Sequence, residues 1–168
     1  MNKKTLILMC GAPGAGKSTY IKEHIGPNDI VVSRDAVRFS KLREGEAYFS
    51  RENEVFKEFV TQIQNALYTP GVEKVYCDAT HITEASRDKL CNKLDMQNVN
   101  SILCLVVRPS IEETINRNEN RRGNERTYVP KSVVRRMWYQ FERPEYDTNY
   151  PKDVMYVEVP ESWDKFGS

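Results

Sequence analysis

Eight consecutive residues, Gly11, Ala12, Pro13, Gly14, Ala15, Gly16, Lys17 and Ser18, match the spacing G-x-x-x-x-G-K-[ST], and Thr19 follows them. Each residue type has a task in holding a polyphosphate. The glycines let the backbone approach phosphate oxygens without side-chain clash. Successive N–H groups and the start of a following helix then face the anion. Lys17 brings a cation to the β- and γ-phosphates of ATP or another nucleoside triphosphate, and Ser18 offers a hydroxyl to Mg²⁺. A chance glycine turn is the alternative, and the complete match between a strand-like and a helix-like run argues against it. The motif specifies nucleotide binding; by itself it does not specify catalysis, since switch proteins and motor ATPases carry it too.

Three further clusters bear on what happens to the nucleotide. Asp35 and Arg38 lie in Ser33-Arg34-Asp35-Ala36-Val37-Arg38, directly after a second apolar run. In an open α/β sheet, ligands bind at the carboxyl ends of the strands, so Asp35 emerges beside the phosphate loop. A carboxylate there can take the proton of an attacking hydroxyl. Arg38, three residues on, shares a face with Asp35 if a helix starts there, and its planar fork suits a substrate phosphate. A helix cap followed by a solvated arginine is the structural alternative. Asp78, in Asp78-Ala79-Thr80-His81, stands after a third strand-like run, where an acidic residue can sit near Mg²⁺ and Ser18, directly or through water. A strand-end cap is the alternative for it, and His81 reads as a polar loop residue. Arg117, Arg121, Arg122 and Arg126 crowd a polar stretch. Residues 108–136 hold eight Lys/Arg against four Asp/Glu, a local charge of +4 where the whole chain is +1. Taken alone this is a solvated helix face. Between two helices and beside a phosphate site it reads as a lid over about residues 117–129, whose arginine can reach a γ-phosphoryl group.

The elements that must position these groups are legible in the hydropathy pattern. Residues 5–10, 30–33, 74–77, 101–107 and 154–159 are strand-like. Residues 17–25, 51–68, 83–94, 110–118 and 131–141 carry helical patterns, with Thr69-Pro70-Gly71 ending the longest and Pro130 opening the last. Such alternation implies a single α/β domain over residues 1–168, with a mostly parallel sheet covered on both faces, and a tail from about residue 161. The net charge of +1 excludes a global basic field, so a polynucleotide would have to meet a local patch. No apolar run has the length of a membrane helix, so no membrane is expected, and no obligate protein partner is evident. Cys10, Cys77, Cys91 and Cys104 form no C-x-x-C pair and read as buried reduced thiols, which points to the cytoplasm.

Together the motifs G-A-P-G-A-G-K-S-T, R-D-A-V-R, D-A-T-H-I-T-E-A-S-R and R-N-E-N-R-R-G, with V-P-K-S-V-V-R-R-M-W-Y-Q-F-E-R-P after them, resemble the 5′-hydroxyl polynucleotide kinase family. The phage-type kinase domain is the nearest form, and related P-loop kinases share the patches between Gly11 and about Phe141. The resemblance implies a three-layer P-loop kinase fold with an arginine-rich lid, and ATP-dependent phosphoryl transfer to the 5′-OH end of DNA or RNA. It implies that Lys17 and Ser18 bind ATP and magnesium, that Asp35 is the general base, and that Arg38 holds the acceptor's 3′-phosphate. The lid arginine on the transferred phosphoryl falls on Arg122, with Arg121 and Arg126 as rivals because an insertion alters the lid spacing. Ala79 and Thr80 depart from the D-T-N of the phage-type enzyme, which leaves Asp78 and Thr80 as acceptor-side candidates. Kinases of hydroxymethylated bases in DNA, of aminoacyl-tRNA and of small metabolites show the same patches, so the acceptor stays open among them. A non-catalytic nucleotide switch is the third reading, and Asp35 with Arg38 argues against it.

Overall fold

The computed structural model describes residues 3–121, 129–146 and 149–160. Within them five strands form one sheet in the order β2-β3-β1-β4-β5, and every adjacent pair is parallel. They are β1 (Lys4–Cys10), β2 (Asp29–Ser33), β3 (Lys74–Asp78), β4 (Val99–Val107) and β5 (Asp153–Val157). Among the described residues six helices connect or follow them: α1 (Lys17–His24), α2 (Arg34–Lys41), α3 (Glu52–Tyr68), α4 (Glu84–Lys93), α5 (Ile111–Glu119) and α6 (Lys131–Gln140).

The alternation of β1 divides the core. Leu6, Leu8 and Cys10 face Phe59, Ile63 and Leu67 of α3 and Leu90 and Cys91 of α4. Ile7 and Met9 face Ala15, Tyr20 and Ile21 of the phosphate loop and α1. Both sides of the central strand are therefore dry, as an all-parallel sheet requires. This is the expected three-layer arrangement, with the sheet wholly rather than mostly parallel. All four cysteines are buried and free. Among the described residues no helix is long and apolar enough to cross a membrane.

Two differences from the sequence reading bear on the site. The residues after β2 form a full helix, α2, capped by the Ser33 hydroxyl, which accepts from the Ala36 N–H at 3.1 Å. Its apolar content is small, so little beyond the cap announces it. Arg117, which the lid range also took in, is buried in the last turn of α5. Arg122, Arg126 and the expected tail from residue 161 lie outside the described residues.

Candidate active site

The phosphate loop runs from the end of β1 into α1. Gly14 adopts φ +85°, which glycine alone enters freely, and a Cβ there would sit 2.8 Å from the Thr114 carbonyl oxygen of α5. The same packing brings Asn118 against the loop. Its side chain holds the backbone of Val129, accepting from the N–H at 3.1 Å and donating to the carbonyl. At the other edge the Gly11 N–H donates to the Thr80 carbonyl at 2.9 Å, so the chain leaving β3 buttresses the loop. Helix α1 starts after Gly16 with no side-chain cap. Its first-turn N–H groups are the ones a phosphate can satisfy.

Lys17 is buried, and its Nζ donates to the carbonyls of Gly11 at 2.8 Å and Ala12 at 3.0 Å. Burial lowers its pKa, while the charge of Asp78 opposes that shift. Burial also raises the pKa of Asp78, against the pull of Lys17 and of the Ser18 hydroxyl. The Ser18 Oγ donates to Asp78 Oδ2 at 3.1 Å. A hydroxyl and a carboxylate oxygen are thus adjacent at the mouth of the loop. Among the described residues no group of three or more His, Cys, Asp or Glu side chains could hold a metal. Two hard oxygens without nitrogen or sulfur fit Mg²⁺, which takes few protein ligands and completes its shell with water and phosphate.

Opposite the loop, α2 presents Asp35 and Arg38 one turn apart. Arg38 Nη1 and the Tyr48 hydroxyl both donate to Asp35 Oδ1. Arg38 is buried and already holds a carboxylate in a fork. Its Nε donates to Glu52 Oε2 at 2.8 Å and its Nη2 to Glu52 Oε1 at 2.6 Å. The guanidinium also stacks 4.3 Å from the Tyr48 ring centre and 5.6 Å from that of Phe49. Burial works against its charge, yet the bonds to Glu52 outweigh that and leave its pKa raised. Glu52 is a group the sequence reading missed. It opens α3, fourteen residues beyond Arg38, and no helical or strand spacing links the two. Tyr48, whose hydroxyl donates to Asp35 Oδ1, is another.

His81 is buried at φ +42°, with Nδ1 against the Met9 carbonyl at 2.7 Å. Burial pushes its pKa down to about 4, so it is a neutral strut rather than a polar loop residue. Arg87, fully buried, ties the same loop together. It donates to the carbonyls of His81 at 2.9 Å, Ile82 at 3.1 Å and Glu142 at 2.7 Å. Of the three arginines that compete for the lid role, only Arg121 falls among the described residues, and it lies near enough to Lys17, Asp78 and Asp35 for their charges to act on one another. Burial lowers its pKa, and the carboxylates of Asp35 and Asp78 oppose that.

A family model described as AAA domain matches residues 6–144. The chain belongs to this AAA domain family. Among solved structures, a chain of the Pnkp1/Rnl/Hen1 RNA repair complex superposes with TM-score 0.68 at 23% identity, over 83% of this chain. This chain spans only 44% of that protein's length. A fungal RNA kinase superposes with TM-score 0.63 at 12% identity, covering 96% of this chain and 77% of its own. A gluconokinase from Sinorhizobium meliloti 1021 gives TM-score 0.57 at 19% identity, covering 97% of this chain and 88% of its own. No curated protein matches the sequence. At these identities the likeness establishes the fold alone, a P-loop kinase-like α/β arrangement, as the motifs led one to expect.

Proposed function

We propose that this domain transfers the γ-phosphoryl group of ATP to a hydroxyl, and that the 5′-OH end of DNA or RNA is the acceptor. The observation that carries the reading is a carboxylate, Asp35, held by two donors on α2 and its following loop, within electrostatic reach of Lys17 of the phosphate loop. Gly11, Ala12, Pro13, Gly14, Ala15, Gly16 and Thr19 form the cradle; Lys17 sets charge at the β- and γ-phosphates. Ser18 and Asp78 are the residues that would hold Mg²⁺, which when bound neutralises phosphate charge.

Asp35 takes the proton of the acceptor hydroxyl. As it does, the acceptor oxygen bonds to the γ-phosphorus and the bond to the β-phosphate oxygen breaks. Arg38 and Tyr48 both donate to Oδ1, so Oδ2 is the oxygen left for that proton. A nucleotide switch has no use for a carboxylate held in this way.

Arg122 is the arginine proposed for the transition-state role, and Arg121, whose charge interacts with those of Asp35 and Asp78, is its rival among the described residues. Arg122→Ala should slow transfer by on the order of 10³-fold and leave ATP affinity within a few fold. Single-turnover rates and ATP binding on Arg121→Ala, Arg122→Ala and Arg126→Ala would separate the three. Loss of rate in Arg122→Ala with near-normal Arg121→Ala would give the role to Arg122, and the reverse pattern would give it to Arg121.

A second reading keeps the chemistry and changes the acceptor to a small metabolite, a hydroxymethylated base or aminoacyl-tRNA. The fork of Glu52 on Arg38 favours it, since those donors must be shared or released before Arg38 can grip a phosphate. The test uses labelled ATP with 5′-OH oligonucleotides, a nucleoside 3′-monophosphate, the free nucleoside and a metabolite panel. The polynucleotide reading expects the 3′-monophosphate to be used and the nucleoside hardly at all. It expects Arg38→Ala to raise the acceptor KM by about 10- to 100-fold, with lysine a partial rescue. Equal use of both acceptors, with Arg38→Ala unaffected, would reject it for the second reading.

A further inference from the structure

Helix α6 has a composition that its own stability does not explain. It carries Lys131, Arg135 and Arg136 and no carboxylate. Lys131 and Arg135 are four residues apart, so like charges share a face and repel. The first turn of α6 contains a cation and no acid, and the last turn contains no cation, the reverse of what the helix dipole rewards. All three cations are exposed, and among the described residues none meets a carboxylate in an ion pair.

Aromatic groups are interleaved with this charge. Positions 131, 135 and 139 fall on one stripe, and Tyr139 at its end is 67% exposed. The Tyr139 ring stands edge-on to Trp138 with centroids 5.2 Å apart. Trp138 is itself fixed: its Nε1 donates to the Pro109 carbonyl at 2.9 Å, and Arg108 stacks 3.7 Å from its ring centre. Exposed Arg143 and Tyr146 continue the surface past the helix. The nearby carboxylates, Glu142 and Glu145, follow the helix instead of lying on it, and Glu142 Oε1 accepts from the Glu84 N–H at 3.0 Å.

The two ends of α6 are tied to the candidate site. Ahead of it, Val129 is held by Asn118, which packs against Gly14 of the phosphate loop. Behind it, the Glu142 N–H donates to the Ile82 carbonyl at 2.9 Å, four residues beyond Asp78. Helix α6, whose stripe from Lys131 to Tyr139 is about 12 Å long at helical rise, is therefore anchored at both ends to segments that build the site.

We propose that the exposed face of α6, through Lys131, Arg135, Arg136 and Tyr139, binds the body of a single-stranded polynucleotide. The cations track the phosphates and the ring stacks a base. A charged row with a rigid aromatic beside it is how strands are held without sequence preference. The inference rests on the polynucleotide reading above and adds to it a surface outside the reacting centre.

The test compares wild type with Lys131→Ala/Arg135→Ala/Arg136→Ala and with Tyr139→Ala. Binding of a labelled 20-nucleotide 5′-OH strand is followed by fluorescence anisotropy across salt concentrations, and transfer is measured on that strand and on a nucleoside 3′-monophosphate. The triple variant should weaken strand binding at least tenfold. It should lower the slope of log K against log salt by about 2, from three lost phosphate contacts. Tyr139→Ala should cost about 5- to 100-fold with the slope unchanged. Transfer to the mononucleotide, which cannot reach α6, should stay within twofold in both variants and so reports that they are folded. Unchanged strand affinity and slope in the triple variant would overturn the proposal. So would displacement of the strand by polyglutamate of equal charge as readily as by unlabelled strand, which would make the face a site for acidic protein. If wild type binds the strand through these residues yet phosphorylates no polynucleotide, the surface stands and the acceptor reading falls. If it phosphorylates polynucleotides equally well in all three proteins, the reverse holds.

Discussion

Lys17→Ala is expected to cut phosphoryl transfer by about 10³-fold while leaving the chain folded. The Lys17 ammonium lies buried at the base of the loop, on two loop carbonyls and close to Asp78. In phosphoryl transfer the protein supplies positioning and charge rather than covalent chemistry, so removing that cation strikes the main term. The substitution also removes the charge that opposes protonation of Asp78, so the candidate Mg²⁺ ligand becomes a poorer one. Two measurements check this: steady-state transfer to the best acceptor, and the Mg²⁺ concentration that gives half of the remaining rate, which should rise. Circular dichroism should be unchanged, because Ile7, Met9, Tyr20 and Ile21 still bury the loop against the sheet. Turnover near that of wild type would refute the assignment of the loop.

Asp35→Asn is the second large effect, a loss of roughly 10²- to 10⁴-fold in transfer with ATP affinity retained. The replacement is close in shape, and its amide oxygen can still accept from Arg38 and Tyr48, so the arrangement on α2 should survive. What it cannot do is take a proton. The readout is a single-turnover rate beside an equilibrium ATP affinity. Should ATP affinity collapse together with the rate, Asp35 would be a ligand of the nucleotide or metal and not a base. Tyr48→Phe is a useful companion. It removes one donor to Oδ1 and leaves the carboxylate in place, so it should affect the rate far less than Asp35→Asn.

Much of this protein was decided locally. The eight-residue loop needs only its own glycines, lysine and serine in a strand-to-helix setting, and the strand-like runs around it are apolar on both faces because a parallel sheet buries both. The five strands and five of the six helices could therefore be read from periodicity and punctuation. Helix α2 was not read outright, being short, polar and marked chiefly by the Ser33 cap.

Tertiary structure decided the company each charged group keeps. Arg38 looked like an open phosphate fork from its spacing to Asp35, but the packing of α2 on α3 delivers Glu52 to it, and no local rule pairs residues fourteen apart. Arg117 looked like part of a lid and is buried in α5, while Arg121, four residues on, comes within reach of Lys17 and Asp78. A sequence records which side chains carry charge and how they repeat along one element. Which charges meet depends on how elements pack, because the gain from a buried ion pair exists only once both partners have been brought out of water to the same place.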